Sequence, residues 1–157
     1  MSLDQLFAWL QATRIATTIG GSSLLIGFIS SVHLLGLTLI VGSALVSNLR
    51  LLGVLLVERP VPEVTATARY TIVTGLLISV TTGLLLFAPK ALMDAENKTF
   101  QLKMAILAAA VLCHITLFRR VSRSRSVPVP LLRFTGGLGL ILWCGVACAG
   151  CVFILFE

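Results

Sequence analysis

The sequence predicts an all-α protein: a bundle of four transmembrane helices, both termini outside, with a short N-terminal interfacial helix. Three observations lead there. Of the 157 residues, 57% are hydrophobic and only 11% charged, against about 25% charged in a typical soluble domain. The stretch Ser22–Ser47 contains no charged residue and exceeds the roughly 20 apolar residues a helix needs to cross a bilayer. The long segments are apolar on nearly all sides, whereas the strands of a membrane barrel alternate polar and apolar residues over about ten positions. A chain of this length reads as a single domain.

At the start, residues 3–12 (LDQLFAWLQA) place Leu3, Leu6, Phe7 and Leu10 on one helical face. Ser2 followed by Gln5 has the spacing of a capping box. Trp9 and the apolar stripe suit a helix lying at the interface, and a plain lead-in turn to the first span is the competing expectation. This start, with Asp4 and no basic region, does not read as a cleaved leader. The first span is expected over about 19–49. Arg50 and LLGVLLVERPVPE follow, with Pro60 and Pro62 as breakers. The second span is expected over about 68–88, ending at Pro89, and KALMDAENKT makes the turn. The third is expected over about 100–118, the basic segment RRVSRSRSVPVP follows, and the fourth is expected over about 131–156.

The net charge of +6 does not mark a nucleic-acid binder, because the cations sit between apolar spans. Arg50, Arg59, Arg69, Arg119, Arg120, Arg123, Arg125 and Arg133 fall on one side of this topology. Arg14, Lys90, Lys98 and Lys103 fall on the other, offset by Asp4, Asp94, Glu96 and Glu157. The excess of basic residues puts loops 50–67 and 119–130 in the cytoplasm of a multi-pass inner-membrane protein. The partners expected are the phospholipid bilayer and either further copies of the chain or a larger membrane complex.

Steps of three and four residues from His33 give Gly36, Ile40, Ser43, Ser47 and Arg50 on one side of the first span. The second span offers Thr67, Thr71, Thr74, Ile78 and Thr81; the third Lys103, Leu107, Ala110 and His114; the fourth Gly137, Cys144, Cys148 and Cys151. Small and polar faces of this kind pack membrane helices together. That ordinary role is also open to His33, as an interhelical hydrogen-bonding residue, and to the four cysteines, including Cys113.

An ionisable side chain inside a span nevertheless calls for a functional account. Neutral imidazole ligates haem iron and transition metals, which makes His33 and His114 the candidate metal ligands and haem b the candidate cofactor. Gly36 beside His33 and Ala110 beside His114 would leave room for a porphyrin, and Arg50, Lys103 or Arg119 would pair with its propionates. His33 lies 17 residues from Arg50, roughly 25 Å along a helix, whereas His114 lies five residues from Arg119, roughly 7–8 Å. Two axial ligands of one haem stand at nearly the same level, so these depths suit separate sites, or one site with a single histidine. His33 and Cys148 match better in depth, and with Cys144 or Cys151 they make a conceivable copper or zinc set.

The stretches SVHLLGLTLIVGSALVSNLRLLG and TGLLLFAPKALMDAENKTFQLKMAIL resemble a family of small, largely uncharacterised bacterial four-helix membrane proteins. They are also loosely similar to copper-resistance-D-like and cytochrome b561-like membrane domains. The residues that carry the resemblance are His33-Leu-Leu-Gly36, Asn48-Leu-Arg50-Leu-Leu-Gly53, Thr82-Gly83 with Phe87, and Asn97 through Phe100 to Lys103. It implies an inner-membrane protein in which His33 coordinates haem and the helix ends hold the haem carboxylates.

No nucleotide loop, embedded carboxylate or nucleophile–base pair suggests catalysis by the chain alone. Three functions are therefore expected of it. The first is a small inner-membrane haem-binding protein or the membrane subunit of a redox, electron-transfer complex. The second is a non-catalytic accessory or scaffold subunit, and the third a copper-handling or other metal-handling membrane protein.

Overall fold

Two small helices precede the first long one because the chain breaks twice at capping residues. A computed structural model describes residues 2–123 and 127–155. Helix α1 (Leu3–Gln11) opens with the expected capping box: Ser2 Oγ accepts from the Gln5 backbone and Gln5 Oε1 accepts from the Ser2 backbone. Thr13 caps α2 (Arg14–Gly20), and Ser22 caps α3 (Ser23–Leu52). The first long helix thus starts at Ser23 rather than near Ile19. Gly20 and Gly21 favour a break, and the Ser22 hydroxyl accepts from Leu25 N–H, one of the donors a helix start leaves open. At its other end Gly53 takes φ 77°, the left-handed conformation that closes a helix without a Cβ penalty.

Helix α4 (Val61–Phe87) begins earlier than the expected 68, with Pro62 in its first turn. A proline there is compatible with the helix, because its missing N–H would have no partner in any case. A 3-10 turn at Ala88–Lys90 leads into α5 (Ala91–Glu96), and Asn97 caps α6 (Lys98–Cys113). The third span does not continue as a plain α-helix to Phe118. It passes through a π-helical turn at His114–Phe118 and then α7 (Arg119–Arg123). Helix α8 covers Val129–Leu155. Arg125, Phe156 and Glu157 lie outside the described residues.

Among the described residues, four helical segments are long and apolar enough to cross a membrane: Ser23–Leu52, Val61–Glu96, Lys98–Val121 and Val129–Val152. Their outward positions are apolar, with Leu24 84%, Ile141 71% and Phe28 69% exposed, which matches a surface solvated by lipid tails. The protein is an all-α bundle of the membrane type. Helix α3 packs along α4 and α8, and α6 packs on α8. Ile40, Ala44, Ile72, Ala110, Trp143 and Val146 form the central core. Leu51, Phe118 and Val121 form a second cluster at the end that carries Arg50, Arg59 and Arg119, the arginine end.

Glycines set how closely the helices approach. A Cβ on Gly75 would lie 2.7 Å from the Gly36 carbonyl oxygen and 2.8 Å from Ile40 Cγ1, so α3 and α4 meet backbone to backbone. A Cβ on Gly136 would lie 2.8 Å from the Asn48 carbonyl oxygen, and α8 crosses α3 there. Contacts of this kind hold membrane helices together by dispersion, since lipid is as apolar as the side chains. At the far end from the arginines, α1 rests on the 3-10 turn and α5. The Phe7 and Phe87 rings meet edge to face at 5.8 Å, and Gln11 Nε2 donates to the Pro89 carbonyl at 3.0 Å.

The buried faces correct two of the expected stripes. On α4 the buried residues are Val64, Thr65, Ala68, Ile72, Gly75, Ser79 and Thr82, while Thr67, Thr74 and Thr81 are exposed. On α8 the buried face holds Thr135, Trp143 and Val146, and Cys144, Cys148 and Cys151 are exposed. Bulk explains the second case: Trp143 fills the core, and Cys144, one residue on, is turned about 100° from it. The stripes on α3 and α6 are closer, with Gly36, Ile40, Ser47 and Ala110 buried.

Candidate functional site

The two histidines occupy separate polar sites near opposite ends of the bundle. His33 lies on α3 and reaches α4, where its Nδ1 is 2.9 Å from Thr82 Oγ1. The same Thr82 hydroxyl donates to the Ile78 carbonyl at 2.6 Å. A hydroxyl has one proton. With that proton on Ile78, Thr82 accepts from His33 Nδ1–H, and the lone pair of the neutral ring is on Nε2. Gly83 makes room for the ring: His33 Cε1 is 3.3 Å from where a Gly83 Cβ would be.

Lys103 lies in the first half of α6. Its Cε and Nζ lie 3.8 and 3.9 Å from a Cβ placed on Gly150 of α8. His33 and Lys103 thus share one end of the bundle. Gly36, one turn along from His33, faces α4: a Cβ there would be 2.5 Å from Ser79 Oγ and 3.0 Å from the Gly75 carbonyl oxygen. The space beside Gly36 is filled by a helix. Arg50 is 17 positions from His33, and its Nε donates to the Arg59 carbonyl at 2.8 Å. Arg119, exposed at the start of α7, shares that opposite end.

The second site surrounds His114, the first residue of the π-helical turn. Its ring stacks on Phe118 with centroids 4.6 Å apart and meets Trp143 edge-on at 6.5 Å. Asn48 approaches from α3. It is 2% exposed, and its Nδ2 donates to the Ala44 carbonyl at 2.7 Å. Gly139 of α8 lies directly against the Asn48 amide and has no room for a side chain. Asn48 Oδ1 and His114 Nε2 are both buried without a hydrogen-bond partner, and both residues line one cavity of about 10 Å³. Asn48 lies 15 residues beyond His33 on α3, about 22 Å along the axis. The structure therefore keeps His33 and His114 at different levels, as their positions in the spans imply.

Residues 6–156 match a family of unknown function. The chain belongs to the DUF6644 family. No curated protein and no solved structure matches it. Membership of this family accords with the resemblance to small four-helix membrane proteins, and it assigns no ligand.

Among the described residues, no group of three His, Cys, Asp or Glu side chains is arranged to hold a metal ion. The cysteines of α8 are exposed, and they form no such group with His33. Of the sequence-derived site residues, His33 and Lys103 share one end of the bundle, His114 stands apart with Asn48, and Arg50 and Arg119 stay at the arginine end. Asn48 was legible as a motif residue but carried no role. Its signal was a carboxamide within an apolar span, the same kind of signal that singles out His33.

Proposed function

We propose that this chain is a small inner-membrane subunit that binds haem b through His33, with its arginine end in the cytoplasm. One observation supports this above the others: Thr82 Oγ1 lies 2.9 Å from His33 Nδ1 and 2.6 Å from the Ile78 carbonyl, so a Thr82 proton given to Ile78 lets Nδ1–H donate to Thr82 and leaves the lone pair on Nε2. Ligating histidines characteristically give their other ring N–H to a protein acceptor, which fixes both tautomer and orientation. The cytoplasmic placement rests on the asymmetry of the arginines.

The residues present offer one imidazole that would hold the haem, and no enclosed pocket. The cavity beside His114, about 10 Å³, is far too small for a porphyrin. A groove of about 460 Å³ lies between α3 and α4 near Arg59 and Thr67, at the end away from His33. His33 itself is half-buried at the flank of the bundle, so the macrocycle would lie on that flank and be closed in by a second subunit or second copy. Haem, when bound, supplies a one-electron redox centre. This chain's part is to hold the imidazole through Thr82 and Gly83 and to bring the Lys103 charge to the same end. A visible spectrum of the protein purified from its native membrane tests the proposal. A Soret band that shifts on dithionite reduction supports it, and a colourless preparation contradicts it.

A second function, a non-catalytic accessory or scaffold subunit, is supported by a different observation. Side chains added at Gly27, Gly42 and Gly137 would meet nothing within 4 Å, so small residues also lie on the outer surface, where another membrane helix can approach closely. A colourless protein that co-purifies stoichiometrically with a larger complex is its expected outcome. The copper-handling alternative has less support, because Cys144, Cys148 and Cys151 are exposed on α8.

A further inference from the structure

We propose that the cavity between α3, the π-helical turn and α8 is a binding site for a single water molecule, held by Asn48 Oδ1, His114 Nε2 and Thr135 Oγ1. Two observations converge on it. The cavity measures about 10 Å³, close to the minimum for one water, about 10–15 Å³. Two of its lining residues present buried polar atoms without partners, Asn48 Oδ1 and His114 Nε2, and Asn48 is 2% exposed. Buried polar groups in native proteins are nearly always satisfied, by protein or by ordered water.

The hydrogen-bond count closes for one arrangement. Thr135, fully buried, gives its hydroxyl proton to the Leu131 carbonyl at 2.8 Å, so towards the cavity its oxygen can only accept. The Asn48 amide is oriented by the bond from its Nδ2 to the Ala44 carbonyl, which leaves Oδ1 as an acceptor too. Water has two protons, and they go to these two oxygens. His114 must then donate to the water from Nε2–H. A lone pair on Nε2 would instead make three acceptors compete for two protons. Three hydrogen bonds are what a buried water typically makes. The wall is completed by Ala110, Cys113, Phe118, Gly139 and Trp143.

The π-helical turn fits the same account. Turns of this kind recur at functional sites, and this one begins at the residue whose Nε2 lines the cavity. The site is independent of haem at His33, which lies near the other end of α3.

The test is a density map of the wild-type protein that resolves ordered water. A peak within hydrogen-bond distance of both Asn48 Oδ1 and His114 Nε2 is expected. A dry cavity, or Asn48 and His114 in direct contact, would overturn the proposal. A double-mutant cycle gives a second readout through melting temperature in detergent. Asn48→Leu and His114→Phe are each expected to lower it by several degrees, because each leaves a water or polar group without its partner. The double variant should melt no lower than the worse single variant. Additive losses, or no loss from either single change, would contradict a shared water.

Discussion

His33 Nδ1 and Thr82 Oγ1 stand 2.9 Å apart across the α3–α4 contact, and Thr82 Oγ1 is 2.6 Å from the Ile78 carbonyl. Thr82 is thus a positioning residue for the imidazole. Thr82→Val keeps the shape and removes the acceptor. It is expected to lower haem occupancy at limiting haem about tenfold, the lower end of the effect of losing such an outer partner. Thr82→Ser should retain occupancy. Equal occupancy in the two variants, measured from the Soret-to-protein absorbance ratio, would remove the role given to Thr82.

The α3–α4 contact itself depends on Gly75. Gly75→Val forces side-chain carbon into the Gly36 carbonyl and Ile40, and overpacking of this kind costs about 1–3 kcal/mol. Gly42→Val is the control, since a Cβ there would meet nothing within 4 Å. Thermal unfolding in detergent should show a clear loss for the first and little change for the second.

How much of this was legible in the sequence differs from element to element. The four long helices were, because apolar runs of that length have few other solutions. The capping box at Ser2 and Gln5 was, because both partners lie within one turn. The faces of α4 and α8 were not. Thr67 bonds to its own helix at the Glu63 carbonyl, and exposed Thr38 and Thr116 do the same to Leu34 and Leu112. A threonine satisfied in this way can face lipid, so threonine periodicity does not mark the protein-facing side. Close approach did, at Gly36 and Gly75, but only the partner helix reveals which glycine is used. The π-helical turn at His114 has no signal in composition or spacing.

Helix α1 is docked by a ring contact and one long-range hydrogen bond. Phe7→Ala removes the edge-to-face contact with Phe87, and Gln11→Ala removes the bond to Pro89. Both changes together are expected to raise hydrogen exchange of the α1 amides while leaving exchange in α3 unchanged. Unaltered exchange in α1 would show that these two contacts do not hold it.

Cys148 separates the haem and metal-handling functions. Its thiol is exposed on α8, so Cys148→Ala is expected to change melting temperature and haem occupancy little, within about 0.5 kcal/mol for a surface site. Loss of bound copper or zinc in that variant, read by elemental analysis, would instead place Cys148 in a metal set.

The most direct measurement compares the reduced-minus-oxidised spectra of wild-type, His33→Ala and His114→Ala proteins purified in parallel. Haem ligation by His33 predicts a haem signature in the wild type, its loss in His33→Ala, and its persistence in His114→Ala. A signature that survives removal of His33, or a wild-type protein with none, would contradict it.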